Sequence, residues 1–220
     1  MSNSYAHPIL RTTDLERAHA LARRLVALAG RDYFVPRVRM HAETRTHQLG
    51  RYLAAIPDGR FDLAVPGELA DLARRILGPY VKPQDLQARL RDGTLWLYPV
   101  FNAESVAALG RLPELPCEVE LTHQPVGTVE ERFLAVIGPD PAEVVWEDVT
   151  WPPVEELELC TWEVKHGNIQ LTLNAAGVFQ ERPADDHTLY VHVRWGDERR
   201  AQWLAEQVGL KVIGPPETGF

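Results

Sequence analysis

The chain has 220 residues, of which 45% are hydrophobic and 25% charged, with a formal net charge of −8. That length allows one large domain or two small ones with a real core, and the composition is ordinary for a globular protein. No apolar run approaches the roughly 20 residues that cross a bilayer. The N-terminal stretch lacks the basic-then-apolar pattern of a secretory signal. Two cysteines, Cys117 and Cys160, exclude a disulfide framework or a cysteine-rich zinc module. The expectation is a cytoplasmic protein with no membrane association. Whether the two thiols pair is left open.

In chain order, residues 6–12 read as a short strand. A helix follows, with Thr13 or Asp14 as N-cap, Leu15, Ala18, Leu21, Ala22, Leu25, Val26 and Leu28 on one face, and Gly30 as its stop. Residues 32–41 and 47–56 read as extended, with a turn at Pro57–Gly59. Residues 60–66 read as a strand. Residues 66–78 form a second helix with Leu69, Leu72, Ala73 and Ile76 inward, and 82–93 a third. Residues 94–101 are apolar enough for a strand buried on both faces. A helix capped by Asn102 and a strand at 117–123 follow.

Two more strands are expected at 131–139 and 142–149. Residues 157–174 read as a β-hairpin turning at His166–Asn168. Strand 187–195, a helix capped by Asp197 and stopped by Gly209, and a closing strand at 210–214 complete the chain. The fold expected is α+β: mixed or antiparallel sheets with helices packed on one face, with elements of ferredoxin-like, split-βαβ character. The domains expected are residues 1–125, basic at the start, and a smaller β-rich part at 126–220, with a single domain as the alternative.

Net charge hides a gradient. Residues 1–60 hold ten arginines against five acidic residues, whereas 129–163 hold ten acidic residues and only Arg132. Either the two regions attract each other within one fold or homodimer, or one faces a charged partner.

The densest run of titratable groups is RVRMHAETRTHQL, residues 37–49. On a strand, Val38, Met40 and Ala42 share one face, and Arg37, Arg39, His41, Glu43, Arg45 and His47 the other. His41 and His47 then lie about 20 Å apart, too far for one metal ion. Neither a metal nor a cofactor is expected. The arginines favour an anion: Arg37, Arg39 and Arg45, with Tyr190 and Arg194 from a second strand. His41 and His192 are the candidates for acid–base catalysis.

A third candidate is the acidic segment, where Trp146, Glu147, Asp148, Trp151, Glu155 and Glu156 resemble in composition a protein-binding surface. The leading reading is a non-enzymatic interaction module, immunity-, inhibitor- or adaptor-like, that binds a basic face of another protein. A phosphate-handling enzyme or nucleotide-binding protein built on the Arg/His strand is the alternative. Nucleic-acid binding through the N-terminal arginines is a third, disfavoured by the negative net charge. No Walker, Rossmann, nucleophile-elbow or zincin motif is present.

Overall fold

In the computed structural model, residues 4–30, 34–86, 90–180 and 182–219 are described. They form eleven strands and seven α-helices: β1 (Ser4–Thr12), α1 (Leu15–Val26), β2 (Arg37–Arg45), α2 (Leu49–Ala55), β3 (Arg60–Pro66), α3 (Ala70–Leu77), α4 (Pro83–Leu86), β4 (Thr94–Leu97), α5 (Ala103–Leu109), β5 (Pro116–Pro125), α6 (Glu130–Leu134), β6 (Ala142–Glu147), β7 (Asn168–Leu173), β8 (Ala175–Ala176), β9 (Arg182–Pro183), β10 (His187–Arg194), α7 (Glu198–Gln207) and β11 (Glu217–Thr218). The fold is α+β. Two compact units divide the chain.

The first unit comprises Met1–Arg39, His123–Thr128 and Pro141–Phe220. Its strands run in the order β11-β1-β10-β7-β6, antiparallel throughout. Register places Trp146 opposite Ile169, and Ile169 opposite Val191. These residues share one sheet face with Val144, Leu171 and Leu189, and all are fully buried. Trp146 stacks on His19 of α1, with ring centroids 6.1 Å apart, so this is the helix-covered face. The opposite face carries Glu143, Val145, Gln170, Thr172, Thr188, Tyr190 and His192, also buried. Burial on both faces explains why β7 and β10 show so little polar alternation.

The second unit comprises Met40–Thr122 and Val129–Asp140, with strand order β2-β5-β3-β4. Its buried layer includes Met40, Ala42, Cys117, Val119, Leu121, Phe61, Leu63, Val65, Leu95 and Leu97. Helices α3 and α4 separate β3 from β4, so this unit does not follow the strand–helix–strand–strand–helix–strand order of a split-βαβ motif.

Several elements differ from those read in the sequence. Residues 49–55 are helical, because Leu49, Tyr52 and Ala55 recur at three-residue spacing and all three are buried. Residues 130–134 are helical around buried Phe133. The third helix is described only as α4, its remainder falling partly outside the described residues. Residues 157–164 carry no strand, and the hairpin expected to turn at His166–Asn168 does not form; β7 begins at Asn168. The closing strand is β11 rather than 210–214.

Candidate functional site

Strand β2 has the alternation its sequence predicts, with Val38, Met40 and Ala42 fully buried. Its basic side chains meet carboxylates of their own chain. In the first unit, Arg39 lies 2.9 Å from Glu143 and 3.1 Å from Glu147, and Arg37 lies 4.0 Å from Asp148. In the second, His41 lies 3.5 Å from Glu118, and Glu114 stands 3.9 Å from Arg45 and 3.4 Å from His47. The hydrogen bond from His41 holds Glu118 below the usual carboxylate range, with opposing burial smaller. Burial raises Asp62 on the neighbouring strand, which faces Glu118 across the ladder. Internal ion pairing therefore occupies much of this stripe. Arg37 and Arg39 meet the acidic segment, one of the two outcomes expected from the charge gradient, whereas His41, Arg45 and His47 meet Glu118 and Glu114 outside it. Arg39 is the best placed of these pairs, since its side chain is 21% exposed and Glu143 only 6%.

His192 and Tyr190 do not lie on an open sheet face. Both are fully buried. The His192 Nε2 and the Gln170 Oε1 are 3.0 Å apart. The Gln170 amide in turn donates to Glu143 Oε2 and to the Val178 carbonyl, each at 2.7 Å. Glu143 continues to Arg39, giving a buried polar chain across β10, β7, β6 and β2. Burial, with a smaller push from His7, lowers the His192 pKa to about 3. The imidazole is thus neutral at ordinary pH and poorly suited to exchanging protons with a ligand in solution. The Tyr190 hydroxyl donates to Glu217 at 3.1 Å, and burial is the first cause of its raised pKa. Arg194 is exposed. His41 and His192 belong to different units, each with its own partners.

The acidic segment separates into a buried part and an exposed part. Trp146 and Trp151 are both fully buried, so neither supplies an exposed aromatic surface. Trp146 packs under α1, and the Trp151 indole donates to the His192 carbonyl at 2.8 Å. Glu147 and Asp148 pair with Arg39 and Arg37. Beyond them the chain makes an irregular hairpin, with isolated antiparallel bridges at Trp151–Glu163 and Val154–Leu159. Its tip is a 3₁₀ turn, Glu155–Leu157, closed by Glu158 at a φ of 59°. Glu155, Glu156 and Glu158 are exposed, and among the described residues no cation pairs with them.

The stem is held by a residue that sequence reasoning missed. Arg200 of α7 is 3% exposed. Its guanidinium donates to the Pro152 carbonyl and, at 3.3 Å, to the Thr161 carbonyl, while Asp197 receives its Nε at 2.7 Å. The available signal was the Asp197–Arg200 spacing at the helix start, where the two side chains meet.

Among the described residues, no group of three or more histidine, cysteine, aspartate or glutamate side chains is placed to hold a metal ion, and no helix is long and apolar enough to cross a membrane. Neither cysteine is in a disulfide; Cys117 is buried and Cys160 exposed. Comparison with known protein families, curated proteins and solved structures gives no match.

Proposed function

We propose that the chain is a non-enzymatic protein-binding module, adaptor-, inhibitor- or immunity-like, whose contact element is the acidic hairpin tip. The observation that carries this reading is the contrast between its carboxylates and the rest of the acidic segment. Glu143 and Glu147 pair with Arg39, and Asp148 with Arg37, whereas Glu155, Glu156 and Glu158 face solvent with no cation paired to them among the described residues. Three like charges on one tight turn repel one another, which is compensated when a basic surface binds. Arg200 and the two bridges hold the stem in place, which lowers the ordering cost of association. Two free thiols suit a reducing, cytoplasmic setting.

The test compares wild type with a Glu155→Lys, Glu156→Lys, Glu158→Lys variant by affinity capture and quantitative mass spectrometry. Circular dichroism verifies that the variant is folded. Specific basic partners should be lost at least tenfold, and raising salt should weaken capture by wild type. An unchanged partner set with a folded variant would refute the reading.

A further inference from the structure

Strand β1 is paired on one side with β10 from Ser4 to Thr12. Its other side is covered only near the start. There Tyr5 faces Thr218, Ala6 faces Glu217, and the Ile213 amide donates to the Pro8 carbonyl at 2.9 Å. Among the described residues no strand covers that side from Ile9 to Thr12. An open edge presents backbone donors and acceptors that water or an added strand must satisfy.

This edge borders a groove of about 470 Å³, with Ile9, Leu10 and Arg11 on one side and Leu210, Lys211 and Ile213 on the other. Ile213 is 47% exposed, apolar area that a partner would cover. The charged residues lining the groove are basic, in a chain whose net charge is −8. Lys211 is exposed, and Arg11 holds Asp186 at 3.7 Å across a solvent-accessible gap. Such an exposed pair is weak enough to exchange for another carboxylate. Just before the groove, the Arg24 guanidinium lies 3.4 Å from the Gln207 carbonyl at the end of α7, adding positive charge nearby.

We propose that the groove is a strand-addition site for an extended segment of another protein in which acidic and apolar side chains alternate. The added backbone continues the ladder past Pro8. Its apolar side chains cover Leu210 and Ile213, and its carboxylates meet Arg11 and Lys211. The irregularity between Pro8 and Leu10 limits the paired run to a few residues, so main-chain pairing alone gives modest affinity.

The probe is a labelled six-residue peptide of alternating glutamate and valine, titrated with the full chain and followed by fluorescence anisotropy. Saturable binding is expected. It should weaken at least tenfold in Lys211→Glu, in Arg11→Glu, and for a peptide with N-methylated amides that cannot complete a ladder. A lysine–valine peptide should not bind. Circular dichroism verifies that each variant folds. Absence of saturable binding, indifference to both charge reversals, or indifference to N-methylation each overturns the proposal. So does a dimer, seen by sedimentation, that Lys211→Glu dissociates, because the groove would then belong to a second copy. Failure here leaves the hairpin-tip reading standing, since Glu155, Glu156 and Glu158 are outside the groove.

Discussion

Acidification from pH 7 to pH 5 should cost the folded chain about 2 kcal/mol through His192 alone. The side chain is fully buried, and its pKa falls from 6.5 to about 3. Because the folded pKa is depressed, the stabilising contribution is complete above pH 6.5 and is lost as pH falls towards 3. At pH 5 the unfolded imidazole is nearly all protonated and the folded one is not, a difference of about 1.5 pH units at about 1.4 kcal/mol each. Replacing His192 with glutamine keeps an amide N–H near the Nε2 position, within reach of the Gln170 Oε1, and removes the titration. Urea unfolding followed by tryptophan fluorescence at pH 7, 6 and 5 should show wild type losing about 2 kcal/mol more than His192→Gln. His7 and His187, whose pKa values burial also lowers, contribute acid sensitivity to both proteins and largely cancel in the comparison. Equal losses in the two would show that His192 is already accessible to protons in the folded state, and the buried polar chain would need redrawing.

Tyr52→Phe removes a buried hydroxyl that donates to Asp140 at 2.8 Å, and should lower stability by about 1–2 kcal/mol in the same urea assay. A Cβ at Gly167 would stand 1.8 Å from the Val149 carbonyl oxygen; Gly167→Ala should therefore lower the melting temperature sharply, with a loss of about 3 kcal/mol. Iodoacetamide should label exposed Cys160 in the native protein, and Cys117 only after denaturation. Burial pushes the Cys117 thiol up to about 12, and peptide mass mapping checks both sites. Arg200→Lys cannot keep three acceptors in the same planar array. Hydrogen exchange of amides in 152–163 should then quicken about tenfold, equivalent to about 1.4 kcal/mol of local stability.

Legibility in the sequence followed the strength of local signals. Helix α1 was readable because its apolar period is long and Asp14 caps it, accepting from the Arg17 amide. Helix α5 runs only seven residues and was readable through its cap, Asn102, which accepts from the Ser105 amide. Helices α2 and α6 run only seven and five residues, too short for periodicity to outweigh a strand reading. Residues 157–164 alternate like a strand, but their backbone follows Arg200 and two isolated bridges, which are tertiary contacts with no local signature. Asp197 stands at the N-cap position of α7 as expected, but its side chain makes no capping bond and engages Arg200.

The candidate sites show the same division. The alternating face of β2 was visible, but the carboxylates that meet Arg39 lie more than a hundred residues away. Gln170 sits in an apolar run, and nothing local shows that it links His192 to Glu143. Tryptophans among glutamates suggested a surface at Trp146 and Trp151. Residues 142–146 and Trp151 are all buried, however, so the tryptophans form no surface, and the exposed carboxylates of the hairpin tip lie further on, at Glu155, Glu156 and Glu158.

The division of the chain has a consequence for synthesis. All residues of the second unit lie between Met40 and Asp140, so they have left the ribosome before β10 is made. Strand β1 pairs with β10, and Thr12 meets His187. At about 5–20 residues per second, β1 waits roughly 9–35 s for that partner. During translation, therefore, a nine-residue segment whose middle is entirely buried in the finished protein is without its principal partner. Nascent-chain stages before His187 should be those most dependent on chaperones and most prone to aggregate, even though the second unit's own strands are already complete.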